Sequence, residues 1–202
     1  MHTILTRLIA VPALALGLAL SMPAPALAGT TIDTAVDSGT LAADKQTAPA
    51  LYVTAAEAAQ VLAARDDVLL IDVRTPEETM LIGHPEAADV NIPFALLSPD
   101  HAFDAKKSSY AMGPNPLFVD AVKGYLDART PAAILVMCRS GTRSSKAVDA
   151  LAKAGITVPL YSVVDGFEGD RDAAGKRSVN GWKNTDAPWS TNIAEGFLQG
   201  VD

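Results

Sequence analysis

The sequence predicts a single α/β domain with a mostly parallel central sheet and helices on both faces. Two apolar runs, 68–73 (VLLIDV) and 132–137 (AILVM preceded by Ala132), have the length and composition of strands buried on both sides. Amphipathic stretches with helical spacing separate the strand-like segments, and strands alternating with helices imply parallel pairing. Neither an internal repeat nor a second core interrupts that order along the 202 residues, a length that can bury a real core without staples.

The N-terminus reads as a targeting segment. Arg7 precedes a short apolar run over 8–20, and Ala26-Leu27-Ala28 fits a small-x-small cleavage site, so residues 1–28 are expected to be a cleaved signal peptide. The run is short for a membrane span, and no cysteine lies nearby to accept a lipid. A periplasmic or secreted mature protein follows as the expectation, with no membrane association after cleavage. The formal charge is −7, and the leader holds one Arg and no acid, so the mature chain is more acidic still. Such a surface repels nucleic acid and anionic lipid.

Residues 29–50 have no sustained apolar periodicity and are expected to form a flexible lead-in to a domain spanning 51–190. A strand at 51–53 opens it. Thr54 and Glu57 have capping-box spacing ahead of a helix whose inner face is Ala58, Val61 and Leu62. After the 68–73 strand, a weaker one at 90–92 is closed by Pro93. Residues 95–114, with Pro, Ser, Asp, Lys and Gly, read as an excursion from the core. Asn115-Pro116 suits an N-cap and first position of a helix through about Arg129, with Phe118, Val119, Val122 and Leu126 inward. Another helix is expected over about 144–154, stopped by Gly155, before a last strand at 160–164. Residues 191–202 are left as a C-terminal tail.

The chemistry concentrates in Cys138-Arg139-Ser140-Gly141-Thr142-Arg143. A buried strand delivers Cys138, the chain's one cysteine, to the edge of the sheet where open α/β folds place ligands. A lone thiol in an oxidising compartment is a liability unless it is buried or used. Gly141 permits a tight curl whose inward N–H groups, with the following helix N-terminus, can bind an anion. Arg139 and Arg143 are expected to add positive charge, and Ser140 and Thr142 can donate hydrogen bonds. A thiol so surrounded favours its nucleophilic thiolate form.

This loop resembles the active-site loop of rhodanese-domain sulfurtransferases. The resemblance extends to Leu70-Ile71-Asp72-Val73-Arg74-Thr75-Pro76-Glu77-Glu78, to Gly83-His84 with Asn91-Ile92-Pro93, to Asp165–Gly169, and to Trp182–Trp189 with Pro188. It departs after Gly83-His84, where Pro85–Asp89 replaces the usual short Gly-Ala stretch. The resemblance implies that Cys138 takes sulfane sulfur from a small sulfur-containing anion such as thiosulfate. The sulfur then passes to a thiol, cyanide or a protein acceptor, with no metal or organic cofactor needed.

Other residues are expected to be structural. Asp72 at a strand end suits holding nearby N–H groups or an Arg, and His84 suits a turn-stabilising hydrogen bond. Trp182 and Trp189 suit packing of the C-terminal segment over the sheet. The Asp170–Gly175 stretch starts like a calcium loop but carries Ala174 and Gly181 where ligands belong. The three His and one Cys have no metal-ligand spacing. Two alternatives to a sulfurtransferase stand. One is a cysteine-dependent phosphatase or arsenate reductase, whose Cys-x5-Arg spacing would require Arg in place of Ser144. The other is a non-catalytic sulfur-carrier or docking module.

Overall fold

The computed structural model describes residues 31–201; the expected signal peptide lies outside the described residues. Five parallel strands form the central sheet: β1 (Tyr52–Val53), β2 (Val68–Asp72), β3 (Val90–Asn91), β4 (Ala133–Met137) and β5 (Leu160–Val163). Their order is β1-β5-β4-β2-β3, so β4 is central and Cys138 leaves its C-terminal end.

Alternation along the strands builds two cores, because successive side chains point to opposite faces. Ile134, Val136 and Cys138 face one side with Ile71 and Val73. They meet Phe118 and Val122 of α3 (Phe118–Leu126) and Ala147, Val148 and Leu151 of α4 (Thr142–Lys153). Leu135, Met137, Leu70 and Val163 face the other side, against Ala55 and Ala58 of α1 (Ala55–Ala64), Phe167 and Trp182. Each such fully buried apolar side chain contributes roughly 1.5–3 kcal/mol. The expected capping box at Thr54 and Glu57 is present.

Two expected boundaries move and one helix is added. The helix expected from Pro116 begins at Phe118: the Asn115 oxygen accepts from Leu117 N–H at 3.0 Å, as a cap does, but Pro116 and Leu117 form a turn ahead of the first helical residue, and the Asn115 amide donates to Pro93 O and Gly200 O, both at 2.8 Å. α4 begins at Thr142, two residues before Ser144, since Gly141 already occupies the cap. A helix not expected, α2 (Pro76–Ile82), is set up by Thr75 as N-cap, Pro76 in the first turn and Glu78 closing a capping box. Gly155 stands one residue past the Ala154 cap of α4 with φ 86°, as a helix stop requires.

The segments on either side of the sheet are docked. In the stretch expected to be a flexible lead-in, Ile32 is buried with its N–H on Tyr161 Oη at 3.0 Å. Glu57 accepts from Ala35 N–H, and Ser145 Oγ donates to Asp44 O. At the other end Phe197 is buried, Phe197 O accepts from Asn91 N–H at 2.7 Å, and Gln199 N–H donates to Asn91 O at 3.0 Å. The tail thus covers the β3 edge, which would otherwise offer unpaired backbone groups. The 95–114 excursion is a β-hairpin arm, with Ala95–Leu97 antiparallel to Met112–Pro114 and Phe103–Asp104 antiparallel to Ser109–Tyr110.

Asp72 and Arg74 do the structural work expected of Asp72. Both side chains are fully buried; Arg74 Nη2 lies 2.6 Å from Asp72 Oδ2 and also donates to Gly83 O at 2.8 Å. The guanidinium stacks over Phe167 at 4.1 Å. Removing one partner strands a buried charge. Arg74→Met should therefore cost about 3–5 kcal/mol in urea unfolding, while a loss below about 1 kcal/mol would show that the pair is dispensable.

Candidate active site

β4 runs apolar to Met137 and then stops, because the chain must turn into α4 within a few residues. Gly141 makes that turn with φ 100°, and a Cβ there would lie 2.1 Å from Val164 O. Only a residue without a side chain fits. The turn aims Gly141 N–H at Cys138 Sγ, 3.2 Å away. Ser144 Oγ stands 3.6 Å from the same sulfur and donates to Gly141 O at 2.8 Å. Cys138 is 1% exposed, so its sulfur lies beneath the loop.

A second turn, Asp165 to Gly169, clamps this loop from β5. Phe167 N–H donates to Cys138 O at 2.8 Å, and Glu168 and Gly169 N–H both donate to Arg139 O. A Cβ on Gly166 would lie 2.4 Å from Cys138 O. Asp165 in turn accepts from Ala55 N–H and Gly181 N–H, tying the turn to α1 and the C-terminal segment. Burial pushes the Asp165 carboxyl up, although those two hydrogen bonds oppose it.

The loop's charges are arranged differently from the sequence expectation. Arg143 makes two 2.6 Å hydrogen bonds to Glu78 of α2, and Arg139 Nε lies 2.6 Å from Glu168 Oε1. Each arginine therefore faces a glutamate, and the pairs offset the positive charge expected at the sulfur. Thr142 Oγ1 is directed to Asp44 Oδ2 at 3.1 Å. Among the described residues one N–H, that of Gly141, is aimed at Sγ, where the sequence suggested several. Of the expected loop residues, Cys138 and Gly141 meet at the sulfur, Arg139, Thr142 and Arg143 turn to carboxylates, and Ser140 is half-buried.

Sequence reasoning missed Ser144, Gly166, Glu78 and Glu168 as parts of the site. The Thr75-Pro76-Glu77-Glu78 cap was a readable signal for Glu78, but its partner lies 65 residues away, a separation no local pattern reports. His84 falls outside the site: its ring nitrogens face Pro85 O and Asn192 O, at 2.9 and 3.1 Å, as the turn role expected. Trp182 is buried with Nε1 on Pro188 O at 3.1 Å, and Trp189 covers Gly83.

Two clefts open beside the loop, separated by the arm. One, of about 390 Å³, has Ile82, Leu97 and Tyr110 as apolar walls and both loop arginines with Glu78 at its base. The other, of about 430 Å³, lies between the arm and the first turns of α4.

The family model described as the rhodanese-like domain matches residues 54–173, more than half of the chain. The chain belongs to the rhodanese-like domain family. Its similarity to known members runs through the domain rather than one motif. Rv0390 from M. tuberculosis, a solved structure, is 31% identical with a TM-score of 0.52, covering 69% of this chain and 96% of that one. The uncharacterized protein RP600 of Rickettsia prowazekii is 28% identical over 137 residues, covering 68% of this chain and 94% of its own length. RC0915 of Rickettsia conorii, also uncharacterized, has the same identity and coverage. A Rhodopseudomonas palustris structure described as a possible tyrosine phosphatase is 20% identical with a TM-score of 0.41, too little to bear on the reaction. A rhodanese-like domain supports sulfurtransferase-type or related cysteine-dependent activity in this chain.

The Glu78–Arg143 pair has a definite pH signature. Burial works against the charged carboxylate, but the hydrogen bonds and charge of Arg143 outweigh it, leaving Glu78 below its ordinary value. A lowered folded value means the pair's stabilisation is complete above the unfolded value of about 4.3 and fades as pH falls through the folded one. The urea midpoint of wild type should exceed that of Glu78→Gln at pH 7, with the gap narrowing below about pH 4.3. A gap independent of pH would mean that charge is not what holds Arg143.

Proposed function

We propose that this rhodanese-like protein is an exported sulfurtransferase that carries sulfane sulfur on Cys138. The observation that carries the reading is the short loop itself: Sγ at the end of the central strand, held by Gly141 N–H, with α4 starting at the next residue. The donor is a small sulfur-containing anion such as thiosulfate, and the acceptor a thiol, cyanide or a protein.

In the first step the Cys138 thiolate attacks the outer sulfur of thiosulfate. A Cys–S bond to that sulfur forms, the sulfur–sulfur bond of the donor breaks, and its electron pair leaves with sulfite. The persulfide anion then gives its outer sulfur to the acceptor and restores the thiolate. Splitting one transfer into two is covalent catalysis. The Gly141 N–H and the N-terminus of α4 stabilise negative charge on sulfur in both forms. Since Glu78 and Glu168 oppose the loop arginines, that backbone contribution carries more of the load than the arginine charges do.

The loop's size favours sulfur over phosphate chemistry. In the Cys-x5-Arg spacing of cysteine phosphatases the arginine would fall at residue 144, which is a fully buried serine bonded to Gly141 O. A shorter ring holds one sulfur atom more readily than a tetrahedral oxyanion with three outer oxygens. Wild-type protein should therefore transfer sulfur from thiosulfate to cyanide, Cys138→Ser should abolish that activity, and aryl phosphates should be hydrolysed negligibly. Efficient aryl phosphate cleavage with no sulfur acceptance from thiosulfate or polysulfide would refute the reading.

A further inference from the structure

The arm contributes a second cleft that the sulfur chemistry alone does not require. Its second cleft has Phe94, Tyr110, Met112 and Pro114 as apolar walls, and Lys107, Arg143 and Lys146 as its charged lining, with no acidic side chain among the lining residues. In a chain of net charge −7 this is a local reversal of sign. The neighbouring cleft differs, since Glu77 and Glu78 balance Arg139 and Arg143 there. Arg143 is already bonded to Glu78, and Lys107 has Asp104 at 3.3 Å in an exposed pair that holds it weakly. Lys146 is exposed on α4, one turn beyond Thr142, and forms no ion pair among the described residues.

We propose that this cleft binds the body of the sulfur acceptor, a small organic thiol with an apolar part and one or more carboxylates. The inference rests on the sulfurtransferase reading for the thiol itself. About 430 Å³ suits a molecule of a few residues' size, in the range of ordinary small-ligand sites. An inorganic anion would leave Tyr110, Met112 and Phe94 unmatched, while a neutral apolar thiol would leave the lysines unmatched. Thr142 and Arg143 line the cleft and belong to the loop over Cys138, so a bound acceptor lies against that loop. The persulfide's outer sulfur stands about 2 Å beyond the sheltered Sγ, toward the reach of such a molecule. The acceptor thiolate attacks that outer sulfur, the enzyme's S–S bond breaks, and its electron pair returns to Sγ as thiolate. The transferred sulfur keeps the negative charge of the persulfide anion, so the acceptor becomes a persulfide anion and the enzyme a thiolate without any oxidant.

The test uses the full protein and two peptide thiols with the same cysteine, N-acetyl-Cys-Leu-Glu and the uncharged N-acetyl-Cys-Leu-Gln-amide. Single-turnover transfer from persulfide-loaded protein should half-saturate at lower concentration for the acidic peptide, and added salt should shrink the difference. Lys146→Gln and Lys107→Gln should each reduce the acidic peptide's advantage by about two- to fivefold. Calorimetry of the thiol-free N-acetyl-Ser-Leu-Glu with unloaded protein reads the same site without sulfur chemistry, and should show the same dependence on both lysines. Equal behaviour of the two peptides, or indifference to both substitutions, overturns the cleft proposal even if the persulfide forms. Lysine-dependent binding without any persulfide would keep the cleft and sink the sulfurtransferase reading.

Discussion

The loop that carries Cys138 is held by backbone against backbone, and that contact is the constraint on which the site depends. Phe167, Glu168 and Gly169 donate their N–H groups to the carbonyls of Cys138 and Arg139, closing the β5 turn over the end of β4. The approach leaves no room for a Cβ at Gly166 or Gly141. Because β4 and β5 are parallel neighbours, their C-terminal ends emerge side by side and the two turns must share the space above them. Asp165, Trp182 N–H and Lys183 N–H extend the clamp to α1 and the C-terminal segment, so distant parts of the chain fix the position of one sulfur.

That rigidity decides the electrostatics of the site. A loop held by backbone bonds does not need its arginines for shape, and both are paired with largely buried glutamates on separate elements. In direct contact with Sγ is the Gly141 N–H, backed by the opening of α4. Fixed dipoles of this kind need no reorganisation when negative charge develops on the sulfur. The arginine–glutamate pairs instead form part of the surface that any donor or acceptor meets.

The sheet and the cysteine loop were legible in the sequence because their signals are local. The 68–73 and 132–137 runs became β2 and β4, the Thr54–Glu57 cap became α1's start, and Gly155 ended α4 where its lack of a Cβ is needed. Composition misled where contacts are long-range. Residues 31–50 have no apolar period, yet Ile32, Asp44 and Lys45 find partners on Tyr161, Ser145 and Asp170. Asn115 accepts from Leu117 N–H as its type suggested, but its amide also ties Pro93 and Gly200, distant contacts that no local pattern reports. Arg139 and Arg143 looked like free cations because Glu168 and Glu78 come near them only on folding.

A sulfurtransferase working through this loop must form a persulfide on Cys138 inside the clamp. Mass spectrometry of the wild-type protein after incubation with thiosulfate, alkylated and digested so that the Cys138 peptide is resolved, reads that species directly. One additional sulfur is expected on the Cys138 peptide, removed again by cyanide or thiol. A Cys138 peptide that gains no sulfur from thiosulfate, polysulfide or an organic persulfide would contradict it.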